Sequence, residues 1–306
     1  MNLQDTQNWK THCFGRNLVR LPVNAKIGQR YDIGAKPFIY QAGLTAEEAH
    51  RQASVREAEL RSQKHKLAGN SLRERIPMDG GSAALLYYDF EDKTEFLTAE
   101  AWFVDVSAAK VWTRKSDIAS EREARAKAFL QRLARTIRGR APDEIPTTPG
   151  FCVEQGIVGN SEFQVEGYDV YVSSSAMPHV SLHISSTVVG EPLSKLLDRA
   201  PSGIAKLAQV ASGTRTLRSR DRALDGIAGQ ELLLRMSAEG TRVHYFRWES
   251  PGVPESLTQP HVSFELTTLI PDDNGKFHDS YFKTDEEALA FWDAVLASFR
   301  IRPGAV

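Results

Sequence analysis

Two segments of this chain carry the same pattern at the same spacing. Residues 126–140 read AKAFLQRLARTIRGR and residues 288–302 read ALAFWDAVLASFRIR. Aligned without a gap, Ala126, Ala128, Phe129, Leu133, Thr136, Ile137, Arg138 and Arg140 correspond to Ala288, Ala290, Phe291, Val295, Ser298, Phe299, Arg300 and Arg302. Each segment closes one half of the sequence, so the chain reads as two similar domains in tandem. Its 306 residues allow each half a core of its own. Such a pair suits gripping a partner between two domains better than housing one buried catalytic centre.

Local signals give the halves a similar order of elements. Thr45-x-x-Glu48, Ser120-x-x-Glu123 and Thr284-x-x-Glu287 are capping boxes, in which a hydroxyl and a carboxylate satisfy the orphan amides of a helix start. They predict helices over 45–65, from 120, and from 284. The last two bury Phe129, Leu130, Leu133 and Ile137, and Phe291, Trp292, Val295 and Phe299, at helical spacing. Strands are expected at 17–22, 31–40, 84–90 and 97–106, and in the second half at 151–158, 168–172, 180–184, 231–236, 242–248 and 262–268. Pro192 to Ala211 reads as a helix broken at Pro201-Ser202-Gly203. Val262, Phe264 and Leu266 alternate with Ser263, Glu265 and Thr267, the mark of a sheet with one wet face. Pro142, Pro146 and Pro149 remove donors and block helix. The expected organisation is therefore a domain over 1–141, a linker over 142–149 and a domain over 150–306. The expected fold is α+β, each domain a mostly antiparallel sheet with helices packed on one face.

Several function classes find no support. A net charge of −1 creates no field for nucleic acid. No apolar run approaches a membrane span. Residues 1–12 are polar throughout, so no signal peptide is read there. His179 and His183 have zinc-helix spacing, but Val180, Leu182 and Ile184 alternate with them. That places them about 13 Å apart along a strand. Gly80-Gly81-Ser82-Ala83-Ala84 lacks the last glycine of a nucleophile elbow and precedes a strand instead of following one. No catalytic residue, cofactor site or metal site is expected. Trp112 with Arg114, and Trp248 with Glu249, fall where an exposed tryptophan could anchor an interface or pack locally. Cys13 and Cys152 each stand near the start of a half. They read as small buried hydrophobes on equivalent strands, or as a disulfide if those strands lie adjacent.

The opening THCFGRNLVRLP, with Cys13, Gly15, Arg16 and Pro22, resembles the immunity proteins that neutralise phospholipase effectors of the type VI secretion system. GFCVEQGIV at 150–158, GQELLLRM at 229–236, FRWESPG at 246–252 and the helix ending in Arg302 are similar as well. The resemblance spans nearly the whole chain. It implies a non-enzymatic inhibitor of two α+β domains arranged like a claw. Such a protein covers the active-site entrance of its cognate lipase or holds its lid, usually in the periplasm, and is expected to be monomeric when free. Two alternatives are a hydrolase using Ser82 with a distant histidine, and an envelope protein that binds lipid or another ligand in a roomy apolar pocket.

Overall fold

Thr45 and Thr284 start helices, each hydroxyl accepting the amide three residues on, from Glu48 at 3.1 Å and from Glu287 at 3.2 Å. Glu287 also reaches back to the amide of Lys283, whereas Glu48 turns aside to Arg51. Ser120 does not cap. It lies in a short 3-10 turn, and the helix begins at Glu123 with no side-chain cap.

The computed structural model describes residues 8–159, 165–207 and 211–306. The first half contains β1 (Trp9–Phe14), β2 (Asn17–Pro22), β3 (Lys26–Ile33), β4 (Phe38–Tyr40), α1 (Ala46–Ser62), β5 (Lys64–His65), β6 (Gly69–Asn70), β7 (Leu72–Pro77), β8 (Ala83–Tyr88), β9 (Phe96–Asp105), β10 (Lys110–Ala119), α2 (Glu123–Thr136) and β11 (Ile137–Gly139). The second half contains β12 (Phe151–Val153), β13 (Gly156–Val158), β14 (Glu166–Ser174), β15 (Met177–Thr187), α3 (Leu196–Leu207), β16 (Ser212–Asp221), β17 (Gln230–Ala238), β18 (Thr241–Glu249), β19 (His261–Thr267), α4 (Asp285–Ser298) and β20 (Arg300–Ile301). The candidate strand 31–40 is split by Gly34 and Ala35, both at positive φ. Helix α3 runs unbroken through Pro201, and residues 208–210 of the expected helical stretch lie outside the described residues.

The compact units do not follow chain order. One comprises Met1–Gln29 with Glu162–Val306, the other Arg30–Ser161. The cause is visible in the duplicated segments. In each, the helix passes straight into a short strand, α2 into β11 and α4 into β20. Strand β20 pairs with β2, placing Ile301 opposite Asn17, so the final helix folds with the hairpin that opens the sequence. Strand β11 pairs with β13, placing Gly139 opposite Gly156, so the first repeat folds with the hairpin that follows it. Each half of the sequence thus has its leading hairpin in the other half's unit.

The larger unit holds β16-β17-β18-β19-β15-β14, in that order, of a seven-stranded sheet that ends on β3, and the three-stranded sheet β1-β2-β20. All pairings of known register are antiparallel. Helix α3 covers the face of Leu232 and Leu234 through Leu196 and Leu197. Helix α4 covers the other, where Phe246 meets Trp292 edge-on at 5.9 Å. The smaller unit holds the sheet β4-β10-β9-β8-β7. Ala49, Ala53 and Leu60 of α1 pack on Leu85, Tyr87, Trp102 and Val104. Phe129 of α2 lies against Arg114, on the face opposite.

Candidate partner-binding surface

Trp112, Arg114, Trp248 and Glu249 lie inside the chain's own packing, with 0, 6, 0 and 2% of their surface exposed. The first two belong to β10 of the smaller unit and the last two to β18 of the larger. The tryptophans are seated alike. Each indole N–H donates to a backbone carbonyl at 2.9 Å, Trp112 to Glu154 and Trp248 to Arg222. Each ring lies against a glycine that leaves no room for a methyl group. A Cβ on Gly156 would sit 2.6 Å from the Trp112 ring, and one on Gly229 would sit 2.4 Å from the Trp248 ring. Arg114 donates to the carbonyl of Ile33 and to Ser116 Oγ and lies over the Phe129 ring. With no carboxylate beside it among the described residues, burial lowers its pKa to about 10. Glu249 accepts from Arg247 Nε at 2.7 Å and from Arg199. Sequence alone missed β10, whose Lys-Val-Trp-Thr-Arg-Lys run looks like a charged loop until it is paired along ten residues with β9.

The chemical candidates are likewise committed to structure. Ser82 is buried, and its Oγ accepts the amide of Val104 at 3.0 Å. His183 pairs with Asp169 at 2.9 Å and stacks on Tyr171, while His179 stacks on His278. Among the described residues no group of three His, Cys, Asp or Glu side chains could hold a metal. Neither cysteine is a free thiol.

One relay has the form of a nucleophile, base and orienting acid. Ser280 Oγ lies 3.0 Å from His244 Nδ1, and His244 Nε2 lies 2.9 Å from Asp285. A neutral ring protonated at Nε2 satisfies all three groups, donating to the carboxylate and accepting the serine proton. Burial holds the imidazole below its usual pKa, against the opposing pull of Asp285. The imidazole is fully buried, with the rings of Phe246 and Phe282 edge-on to it. The relay therefore fastens the N-terminus of α4 to β18.

The densest charge in the larger unit is centred on Glu231, which has no exposed surface. Its carboxylate meets Arg218 at 2.9 Å, Arg220 at 2.7 Å and Arg222 at 3.0 Å, and accepts the Trp292 indole N–H at 3.3 Å. Arg218 and Arg222 also reach Asp293 of α4 at 2.8 and 2.6 Å. Farther along the edge, Arg215 lies opposite Arg235, whose nearest carboxylate is Asp285 at 3.8 Å. Arg215, Arg218, Arg220, Arg222 and Arg235 stand with Glu231, Asp285, Asp293 and Asp221 of β16 itself, so the cluster is close to charge balance. The period of two in Arg218, Arg220 and Arg222 was the available signal. It marks one strand face without revealing a carboxylate at its centre.

Two units built on antiparallel sheets with helices packed on them define an α+β protein, in which Trp112, Trp248, Ser82 and His244 are engaged in internal packing and hydrogen bonds. The C-terminal domain model of Tle cognate immunity protein 4 matches residues 144–304, and the N-terminal domain model matches residues 10–140. The chain belongs to the Tle cognate immunity protein 4 family. It is similar to the apo immunity protein TplEi of the T6SS from Pseudomonas aeruginosa, at 31% identity over 98% of this chain and 99% of that one, with a TM-score of 0.89. It is also similar to a chain of the Tle4-Tli4 complex, at 32% identity over 98% and 99%, with a TM-score of 0.90. A third similar structure is TplEi from Pseudomonas aeruginosa complexed with "L" peptide, at 29% identity over 98% and 100%, with a TM-score of 0.85. No curated protein matches.

Proposed function

We propose that this chain is a non-catalytic inhibitor that binds a cognate phospholipase effector of the type VI secretion system and blocks its active-site entrance or its lid. The observation that carries this reading is the likeness along 98% of the chain to a chain of the Tle4-Tli4 complex. Tight inhibition needs an interface above about 1,000 Å². The free protein is a monomer in this reading, and it acts in the periplasm, where an incoming lipase meets membrane phospholipid. The bonded state of the cysteines agrees with that oxidising compartment.

The test is to purify the chain together with the phospholipase encoded beside its gene and to follow complex formation and lipase activity in one titration. A one-to-one complex with activity lost at equivalence supports the reading. A lipase that stays fully active and unbound at micromolar chain removes it for that effector.

A further inference from the structure

The turn between β8 and β9 carries exposed aromatic surface on a rigid support. The hairpin closes where the Asp89 amide donates to the Phe96 carbonyl at 3.2 Å. Phe90 and Phe96 flank this closure and meet edge to face, ring centroids 5.6 Å apart, each 48% exposed. The Lys93 ammonium lies over the Phe90 ring at 5.1 Å. Beside them stands the small hairpin of β5 and β6, with Leu67 69% exposed at its tip. The Lys66 amide donates to the Glu91 carbonyl at 2.7 Å, and the Lys66 ammonium pairs with the Glu91 carboxylate at 2.7 Å.

The support is the buried His65. Its Nδ1 accepts two amides, from Leu67 at 3.1 Å and Ala68 at 2.9 Å. A nitrogen that accepts carries no proton, so Nε2 does, and it donates to the Lys93 carbonyl at 3.0 Å. The imidazole also lies on the Tyr88 ring at 4.5 Å. One side chain thus locks two turns together. Exposed apolar residues scattered singly are ordinary. A paired Phe90 and Phe96 with Leu67 alongside, on turns held by buried hydrogen bonds, form a patch that pays its ordering entropy in advance.

We propose that this double turn is the apolar anchor of the immunity complex, with Phe90 and Phe96 entering an apolar pocket of the cognate lipase. The inference rests on the function proposed above and adds a place to it. Area selects the occupant. The three side chains expose roughly 300 Å², well short of the ~800 Å² per partner of a stable interface. A second copy of this chain is therefore not held by this patch alone, whereas a pocket within a larger interface is filled by it. Charge points the same way. Lys64, Lys66 and Lys93 are outnumbered by Asp89, Glu91, Asp92 and Glu95, so the turns have no net positive charge to draw them to anionic lipid.

The experiment compares the full chain with Phe90→Ser, Phe96→Ser and the double variant, using Val106→Ser as an exposed apolar control on another loop. Affinity for the purified lipase, lipase inhibition and thermal unfolding are measured for each. The expected result is a Kd raised roughly 10- to 100-fold by each single change and further by the double. The control should bind like the parent, with melting temperatures shifted by no more than about 2 °C. A double variant that binds and inhibits like the parent overturns the anchor while leaving the immunity reading intact. A parent chain that does not bind the lipase instead overturns the immunity reading and the anchor with it. Two other results overturn the anchor by giving the patch another occupant. One is parent chain sedimenting with phosphatidylglycerol-containing vesicles, lost in a double variant that still inhibits. The other is a concentration-dependent dimer of the parent that the double variant does not form.

Discussion

Replacing Glu231 by alanine tests whether the arginine cluster is an interior ion network or only surface decoration. The carboxylate has no exposed surface and is shared among Arg218, Arg220, Arg222 and the Trp292 indole. Three losses add. The buried indole N–H is left without its acceptor, which costs about 1–3 kcal/mol. The side chain leaves a void between β17 and α4. The guanidiniums lose their central anion, although Asp293 still holds Arg218 and Arg222, and Arg220 can turn to water. Breaking a buried pair by removing one partner costs about 3–5 kcal/mol. With Asp293 in reserve the expected value is near 3 kcal/mol, a fall in melting temperature of roughly 6–12 °C. Urea titration followed by tryptophan fluorescence and far-UV circular dichroism measures it. Glu231→Gln, which keeps the volume and an acceptor for Trp292, should lose less. A loss below about 1 kcal/mol for both variants would refute the buried-network reasoning.

Gly229→Ala should destabilise by about 1–3 kcal/mol, because its Cβ must displace the Trp248 ring 2.4 Å away, and the near-ultraviolet signal of that tryptophan should change with it. Thr284→Ala should cost about 1 kcal/mol by chemical denaturation, since the hydroxyl alone caps the Glu287 amide. His244 and His261 both have pKa values lowered by burial, so unfolding at mildly acid pH takes up protons. Stability should hold above the unfolded histidine value of about 6.5 and decline as pH falls from there through the folded values. His244→Asn, less stable throughout, should show a shallower decline between pH 7 and 5. Neither Cys13 nor Cys152 is a free thiol, so intact mass under non-reducing conditions should show no alkylation until reductant is added. Free alkylation of the folded, unreduced chain would refute that bonded state.

How much of this was legible in the sequence depended on how local the cause was. Thr45 and Thr284 cap because a hydroxyl three residues before an amide acts within one turn, and both helices start where they were expected. Ser120 satisfies the same pattern and fails, because the chain takes a tighter turn before Glu123. Strand β8 was expected to run to Phe90 but ends at Tyr88. Those two residues move Phe90 from a strand to the exposed turn that forms the proposed anchor. Burial of Trp112 and Trp248 was open in the sequence, because a tryptophan beside charged residues looks the same whether its ring faces solvent or a glycine.

By itself the sequence determined the class of fold, the starts of α1 and α4, the core faces of α2 and α4, and the repeated pattern that put similar elements in each half. Those follow from spacing within a segment, where period and capping act over a few residues. Only the tertiary structure decided which hairpin each repeat would fold with, since strand pairing is chosen between segments far apart in the chain and alternation specifies a face without naming its partner. The same non-locality gathered Arg218, Arg220 and Arg222 around Glu231 and brought His65 under the carbonyl of Lys93. The period of the pattern was written in the chain, and its partners were settled by the burial that pairing makes possible.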